Sequence, residues 1–291
     1  GSTMDFTSFL ILILNAPQYG LLLFLVATGV TLVSGIMGII HLAHGSFYML
    51  GAYLAFALSS LTGNLMLAIV IGIPLAFAFG ALLEKLLFVH LYKRDHLQQV
   101  LLTYGLILIF EEVRSLTVGD DVHGVDIPAL FSASIPLSDN LSYPVYRLVI
   151  SVVCIALAVG LWWLMQRTRL GMMIRAGSFN REMVQSLGVN IDMLYRTVFA
   201  LGVALAALAG MLAAPISSVY PGMGGSVLII SFVIVVIGGI GSVWGALVAA
   251  LLVGFADTFG KVLMPELAGL AVYLLMAVVL LWRPEGIFRK G

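Results

Sequence analysis

Charged residues are scarce in this chain. Lys, Arg, Asp and Glu together make up 10% of its 291 residues, against roughly a quarter in a soluble domain. Hydrophobic residues reach 62% and mean hydropathy is +1.13. A soluble fold of this length could not enclose so much apolar side chain. The composition indicates an integral membrane protein with little mass outside the bilayer. The formal net charge is zero, so no bulk attraction to nucleic acid follows. Cys154 is the only cysteine, which excludes an internal disulfide and a thiolate metal cluster. A nucleotide loop is also missing. The nearest approach is GFADTFGKV, Gly254 to Val262. It has the wrong spacing before Gly260 and Val262 where a hydroxyl is needed, and it lies at the end of an apolar run. Any ATP hydrolysis belongs to another chain. No basic segment leads into a small-residue cleavage site, so a cleaved signal is not expected, and Gly1-Ser2-Thr3 reads as a tag remnant before a single domain from 4 to 291.

What the chain does have is long apolar runs. With about 20 residues needed to cross a bilayer, about eight spans are expected. They fall near 17–36, 46–60, 65–91, 97–117, 144–166, 192–214, 226–262 as a broken pair, and 267–282, with a short interfacial lead-in over 5–15. The fold class is therefore an all-α polytopic transmembrane bundle with broken helices. Arg and Lys set its orientation. Arg167, Arg169, Arg175, Arg181 and Arg196 surround one connection, Lys93 and Arg94 lie in another, and Arg283, Arg289 and Lys290 end the chain. These segments, and the C-terminus, are expected on the cytoplasmic side. The 118–143 loop carries Asp120, Asp121, Asp126 and Asp139 and is expected on the other side. Asn140-Leu141-Ser142 matches a glycosylation sequon, taken as chance.

Two Gly-rich interruptions echo each other, GIMGIIHLAHG at 35–45 and IGGIGSVWG at 237–245. Gly-interrupted segments in the two halves of a chain point to a transport pathway, while Gly alone also serves close helix packing. In the first interruption His41 and His44 are followed by Gly45, Ser46 and Tyr48. Two histidines three apart share a helical face, yet no third ligand lies in the segment and there is no HExxH pattern, which argues against a metal. Imidazole and hydroxyl groups can satisfy backbone freed at a break, or line a polar passage. In the second interruption Gly239 and Ser242 are the corresponding pathway candidates.

The segment RTRLGMMIRAGSFNREMVQSLGVN, 167–190, reads as holding a short helix that runs to about Leu187. Ser178 or Asn180 can cap it and Gly188 can end it. Met183, Val184 and Leu187 are spaced to share one apolar face. From the residues alone, this is either an interfacial helix with arginine anchors or a docking element. Among other charges, Glu111 with Arg114 and Asp257 with Lys261 are spaced to pair, and Glu84 and Lys85 sit near the inner end of a span.

Three blocks together resemble a known family. The run TLVSGIMGIIHLAHGSFYMLGAYLAF matches through Gly38, Ala43, His44, Gly45, Tyr48, Met49, Gly51, Ala52 and Tyr53. The arginine segment and following span match through Gly171, Arg175, Ala176, Asn180, Leu187, Gly188, Val189, Asn190, Ala209, Gly210 and Leu212. VIVVIGGIGSVWGALVAALLVG matches through Gly238, Gly239, Gly241, Ser242, Gly245 and Ala246. In this order the blocks resemble the LivH-type permease subunit of branched-chain amino-acid ABC importers, over nearly the whole chain. His41 stands where the family commonly has Asn, and Ser46 where it often has Glu. The second departure removes a carboxylate from the break, which suits an anionic or less cationic cargo.

The resemblance implies an inner-membrane permease for branched-chain amino acids or related small solutes such as amides, urea or aromatic acids. It implies a LivM-type paralogous permease, two cytoplasmic ATPases that bind ATP and Mg, and a periplasmic substrate-binding protein as partners. The 167–190 loop would be the coupling element, through Gly171, Arg175, Ala176, Asn180, Arg181, Met183, Leu187 and Gly188. No cofactor is expected in this chain. The rival reading is a stand-alone secondary transporter or channel, for which the chain shows few buried acids besides Asp257. A membrane enzyme lacks a third catalytic group.

Overall fold

A computed structural model of the protein describes residues 6–39, 41–137 and 141–287. The expected tag remnant, Asp139, Asn140 of the sequon, Arg289 and Lys290 lie outside the described residues. The described chain is helical almost throughout. Helix α1 spans Phe6–Leu32 and continues as a wider π turn, Val33–Met37. Then follow α2 His44–Thr62, α3 Leu65–Leu86 and α4 His96–Val118. A short antiparallel hairpin, β1 Ser134–Pro136 with β2 Ser142–Pro144, leads into α5 Val145–Arg167. The remaining helices are α6 Arg169–Phe179, α7 Arg181–Ser186, α8 Ile191–Ser217, α9 Met223–Gly238, α10 Val243–Leu263 and α11 Ala268–Trp282.

Six segments among the described residues are long and apolar enough to cross a membrane, built on α1, α2, α3, α5, α8 and α10. Helices α9 and α11 are shorter and apolar. Helix α4 has the length of a span but carries Glu111, Glu112 and Arg114 towards one end. One expectation is corrected. The lead-in over 5–15 is not a separate element, because α1 is continuous from Phe6 through Pro17. Proline costs a helix one backbone bond, but inside a bilayer an unwound segment would expose many more. Packing against α10 and α5 also holds the helix through this point. There Asn15 accepts hydrogen bonds from Tyr143 at 2.8 Å and Arg147 at 3.3 Å.

Local signals explain most helix starts. Asn64, Asp95, Thr168, Asn180, Asn190 and Ser242 each accept a backbone N–H at the start of the following helix, which removes one of the orphan donors there. Helices α1 and α8 form the centre, enclosed by α2, α3, α9 and α10, while α3 and α5 leave much of their apolar surface outward. In lipid the driving force between helices is close packing rather than water exclusion, and the crossings are correspondingly tight. A Cβ on Gly51 would run into the backbone of Ala207, and one on Gly210 into the carbonyl of Tyr48, so α2 and α8 meet almost backbone to backbone.

Candidate functional site

The first break begins where α1 loosens into its π turn and Gly38 takes a left-handed φ of 66°. The chain reverses through His41–Ala43 and α2 starts at His44 with no side-chain cap. Its freed backbone groups are served from other helices. The Leu42 N–H donates to Thr103 Oγ1 of α4 at 3.0 Å. The Ile36 carbonyl accepts from Tyr195 of α8 at 3.3 Å.

His41 and His44 are both buried, with ring centroids 5.4 Å apart in an edge-on arrangement. Aromatic rings surround them. Phe88 lies 5.2 Å and Phe199 5.8 Å from His41, and Phe47 lies 5.5 Å from His44. No ring nitrogen of either histidine has a hydrogen-bond partner among the described residues. His44 Nε2 instead faces Gly29, where α1 crosses α8 at Gly202. Among the described residues no group of three or more His, Cys, Asp or Glu is placed to hold a metal. The expected pathway residues Ser46 and Tyr48 are also buried, and Gly45 packs on the Gly224 carbonyl of α9. This set thus sits inside the chain's own bundle.

The second break separates α9 from α10. Gly239 and Gly241 have φ of 96° and 89°, which only glycine adopts without strain. Ser242 caps α10 by accepting the Gly245 N–H at 3.0 Å. Gly238 and Gly245 pack against each other's backbone. The tail closes over this break, with Gly286 against Gly239 and the Ile287 N–H on the Ile237 carbonyl at 2.8 Å. The two breaks, distant in sequence, meet in space. The Gly241 N–H donates to Thr31 Oγ1 at 2.8 Å, and Gly35 lies against Gly241.

The arginine segment lies at the same end. It forms two helices, the second of them the expected short helix capped by Asn180, the first an additional helix within the 167–190 segment. Asn180 adopts an extended conformation that stops α6, and its side chain then takes the Met183 N–H at 3.0 Å to start α7. Gly188 ends α7 with φ of 93°. Gly171 packs on α5 at the Leu164 carbonyl. The apolar face is also split. Val184 turns inward, whereas Met183, Leu187 and Phe179 are exposed at 59%, 78% and 84%. Arg175 and Ala176 lie at the surface. Arg175 and Phe179 line a cavity of about 520 Å³ whose far wall is Leu32, Ile36 and Gly241, so it opens between this segment and the breaks.

Sequence reasoning missed a polar cluster beside this region. Glu84 is fully buried, and its carboxylate accepts from Tyr92 at 2.7 Å and pairs with Arg196 at 2.9 Å. The signal was a Glu in the last turn of an apolar span, which a bilayer tolerates only when paired. At the opposite end the expected pairs form, Glu111 with Arg114 at 3.1 Å and Asp257 with Lys261 at 3.0 Å. Arg114 also holds Asp120 at 3.0 Å, and this hydrogen bond keeps the Asp120 carboxyl below the usual carboxylate range. His123 and Val219 exchange backbone bonds of 2.8 and 2.7 Å, tying the acidic loop to the turn after α8. The stretch from Gly254 to Val262 is helical throughout and forms no phosphate loop.

The fold and these breaks define a polytopic helical membrane bundle whose two helix breaks meet at one end. Residues 12–281 match the family described as branched-chain amino acid transport system / permease component. The chain is 30% identical to the high-affinity branched-chain amino acid transport system permease protein BraD of Pseudomonas aeruginosa, over 96% of this chain and 95% of that protein. It is 30% identical to the corresponding protein LivH of Escherichia coli strain K12, over 98% and 97%. Similarity extends to the ribose import permease protein RbsC of Haemophilus influenzae, 30% identical over 80% of this chain and 72% of that protein. No solved structure matches. The chain belongs to the branched-chain amino-acid transport permease family. It is a permease subunit of an ATP-binding-cassette importer, a transport component that works with ATPase and substrate-binding partners.

Proposed function

We propose that this subunit forms one half of an inner-membrane passage for branched-chain amino acids or closely related small solutes, paired with a LivM-type paralogue and driven by two cytoplasmic ATPases. The cargo class follows from the relatives' names, and Ser46 in place of an acid favours cargo without net positive charge. The basic end of the bundle faces the cytoplasm, including the C-terminus. The acidic loop and the turn after α8, joined at His123 and Val219, face a periplasmic binding protein. Helices α6 and α7 receive the ATPase. His41, His44, Gly45, Ser46, Tyr48, Gly239 and Ser242 belong to the wall that moves as the passage changes sides.

The observation that carries the reading is the exposed set Phe179, Met183 and Leu187, placed among arginines at the end where both breaks lie. Apolar anchors with a charged rim are what a docking groove selects. Met183→Asp is expected to weaken ATPase association by about tenfold or more, the cost of losing one interface anchor. Co-purification of ATPase with the permease pair measures this. Uptake in proteoliposomes should require the permeases, ATPases, binding protein and ATP together. Ion-driven uptake by this chain alone contradicts the proposal.

A further inference from the structure

We propose that Tyr195 is a positioning residue that passes movement of the arginine segment to the first helix break through its hydroxyl group. The inference deepens the docking reading above and rests on it.

Tyr195 lies in the first turns of α8 and is 1% exposed. Its hydroxyl makes two bonds. It accepts from Arg181 Nη1 of α7 at 3.2 Å and donates to the Ile36 carbonyl at 3.3 Å. Arg181 also stands over the tyrosine ring, 5.8 Å from its centre. Ile36 belongs to the π turn that closes α1, just before Gly38 turns the chain away. Carbonyls at such an end tend to lose their helical donors, and the hydroxyl serves this one. The first break rests in turn on the second. Gly35, next to Ile36, packs on Gly241, and Thr31, one turn earlier, holds the Gly241 N–H. A single hydroxyl therefore joins α7 to the first break, and the contacts of α1 join the first break to the second.

The ring of Tyr195 is fixed while its hydroxyl bonds are weak. Tyr92 meets the ring edge-on at 5.1 Å, and Tyr92 is itself anchored on buried Glu84. Glu84 also pairs with Arg196, the residue after Tyr195. The O–H···O bond to Ile36, at 3.3 Å, is longer than usual, and the N–H···O bond from Arg181, at 3.2 Å, is at the long end of its range. A rigid pivot with two long polar bonds can exchange one bond for another without losing its place. Displacing α7 would withdraw Arg181, change the hold on Ile36, and re-set the backbone of 36–43.

The test uses the complete transporter in proteoliposomes, measuring solute taken up per ATP hydrolysed. Tyr195→Phe keeps the ring and its contact with Tyr92 but removes both bonds. The expected result is ATPase association and binding-protein-stimulated hydrolysis within about twofold of the parent, with uptake per ATP lowered about fivefold, the factor one ordinary hydrogen bond supplies. Arg181→Met, at a surface position, is expected to lower the same ratio and to add nothing on the Tyr195→Phe background. It also keeps the proposal testable if Tyr195→Phe does not assemble, since Arg181→Met then has to lower the ratio by itself. An unchanged ratio with ATPases bound overturns the relay. So do parallel losses of uptake and hydrolysis, or additive effects of the two substitutions. Retained ATPase binding by Met183→Asp sinks the docking reading instead, a result that does not depend on the coupling ratio.

Discussion

The two helix breaks share a glycine-rich sequence and meet in space, yet they are held differently. Apart from the Gly241 N–H, which Thr31 of α1 holds, the second break satisfies its backbone from its own residues and the tail. Ser242 caps the next helix, Gly238 and Gly245 interlock, and the tail covers Gly239. The first break has no side-chain cap of its own and borrows single hydroxyls from α4 and α8. It is lined by two histidines with no polar partner among the described residues. Backbone bonds supplied by other helices are lost when those helices move, whereas bonds internal to a motif travel with it. On this account the second break is an anchor, and the first is the part that transport re-sets.

Substitutions can break or sharpen this contrast. The largest effect is expected at the anchor. Gly245→Val forces a side chain into the Gly238 backbone, and overpacking of this kind costs about 3 kcal/mol. A marked loss of thermal stability of the purified subunit in detergent checks it, and an unchanged melting temperature argues against an interlocked second break. Next is Thr31→Val, which keeps the shape but removes the acceptor for the Gly241 N–H. A buried donor left without a partner costs about 2 kcal/mol, read by the same melting experiment.

A smaller effect is expected at the histidine pair. With no polar bond to lose and aromatic rings on several sides, His41→Phe is expected to change stability by less than about 1 kcal/mol. A loss several times larger means that these nitrogens are bonded after all, through water or a bound group. The smallest effect lies at the far end of the molecule. Asp120 is exposed, and its carboxyl is held below the ordinary value by Arg114. A depressed folded-state pKa gives stability that is present above the ordinary carboxylate range and lost as pH falls through the folded value. Asp120→Asn should therefore flatten the acid side of a stability–pH profile slightly, without moving the neutral region. The breaks should not respond to it.

Much of this architecture was legible locally. Apolar runs located α2 to α5 and α8 to α11 to within a few residues, because length and hydropathy are properties of the segment itself. Asn180 and Gly188 announced the ends of α7 through their backbone preferences, and the Asp257–Lys261 pair followed from helical spacing. The continuity of α1 through Pro17 was not legible, because packing by α10 and α5 decides it. Nor was the role of Glu84, whose partner Arg196 stands on a different helix. Tyr195 carries no local signal at all. A tyrosine near the start of a span ordinarily reads as an interfacial anchor, and only the arrival of Ile36 and Arg181 on either side of its hydroxyl gives it another part. The split of the apolar face between buried Val184 and exposed Met183 and Leu187 likewise depends on where α7 lies on the bundle.

Amide hydrogen exchange on the assembled transporter tests the central contrast most directly, comparing the nucleotide-free state with one trapped by a non-hydrolysable ATP analogue. Exchange reports local opening segment by segment. The account predicts that amides around Leu42 change protection between the two states, while those from Ser242 to Ala246 keep theirs. Equal changes at both breaks, or a change confined to the second, would contradict it.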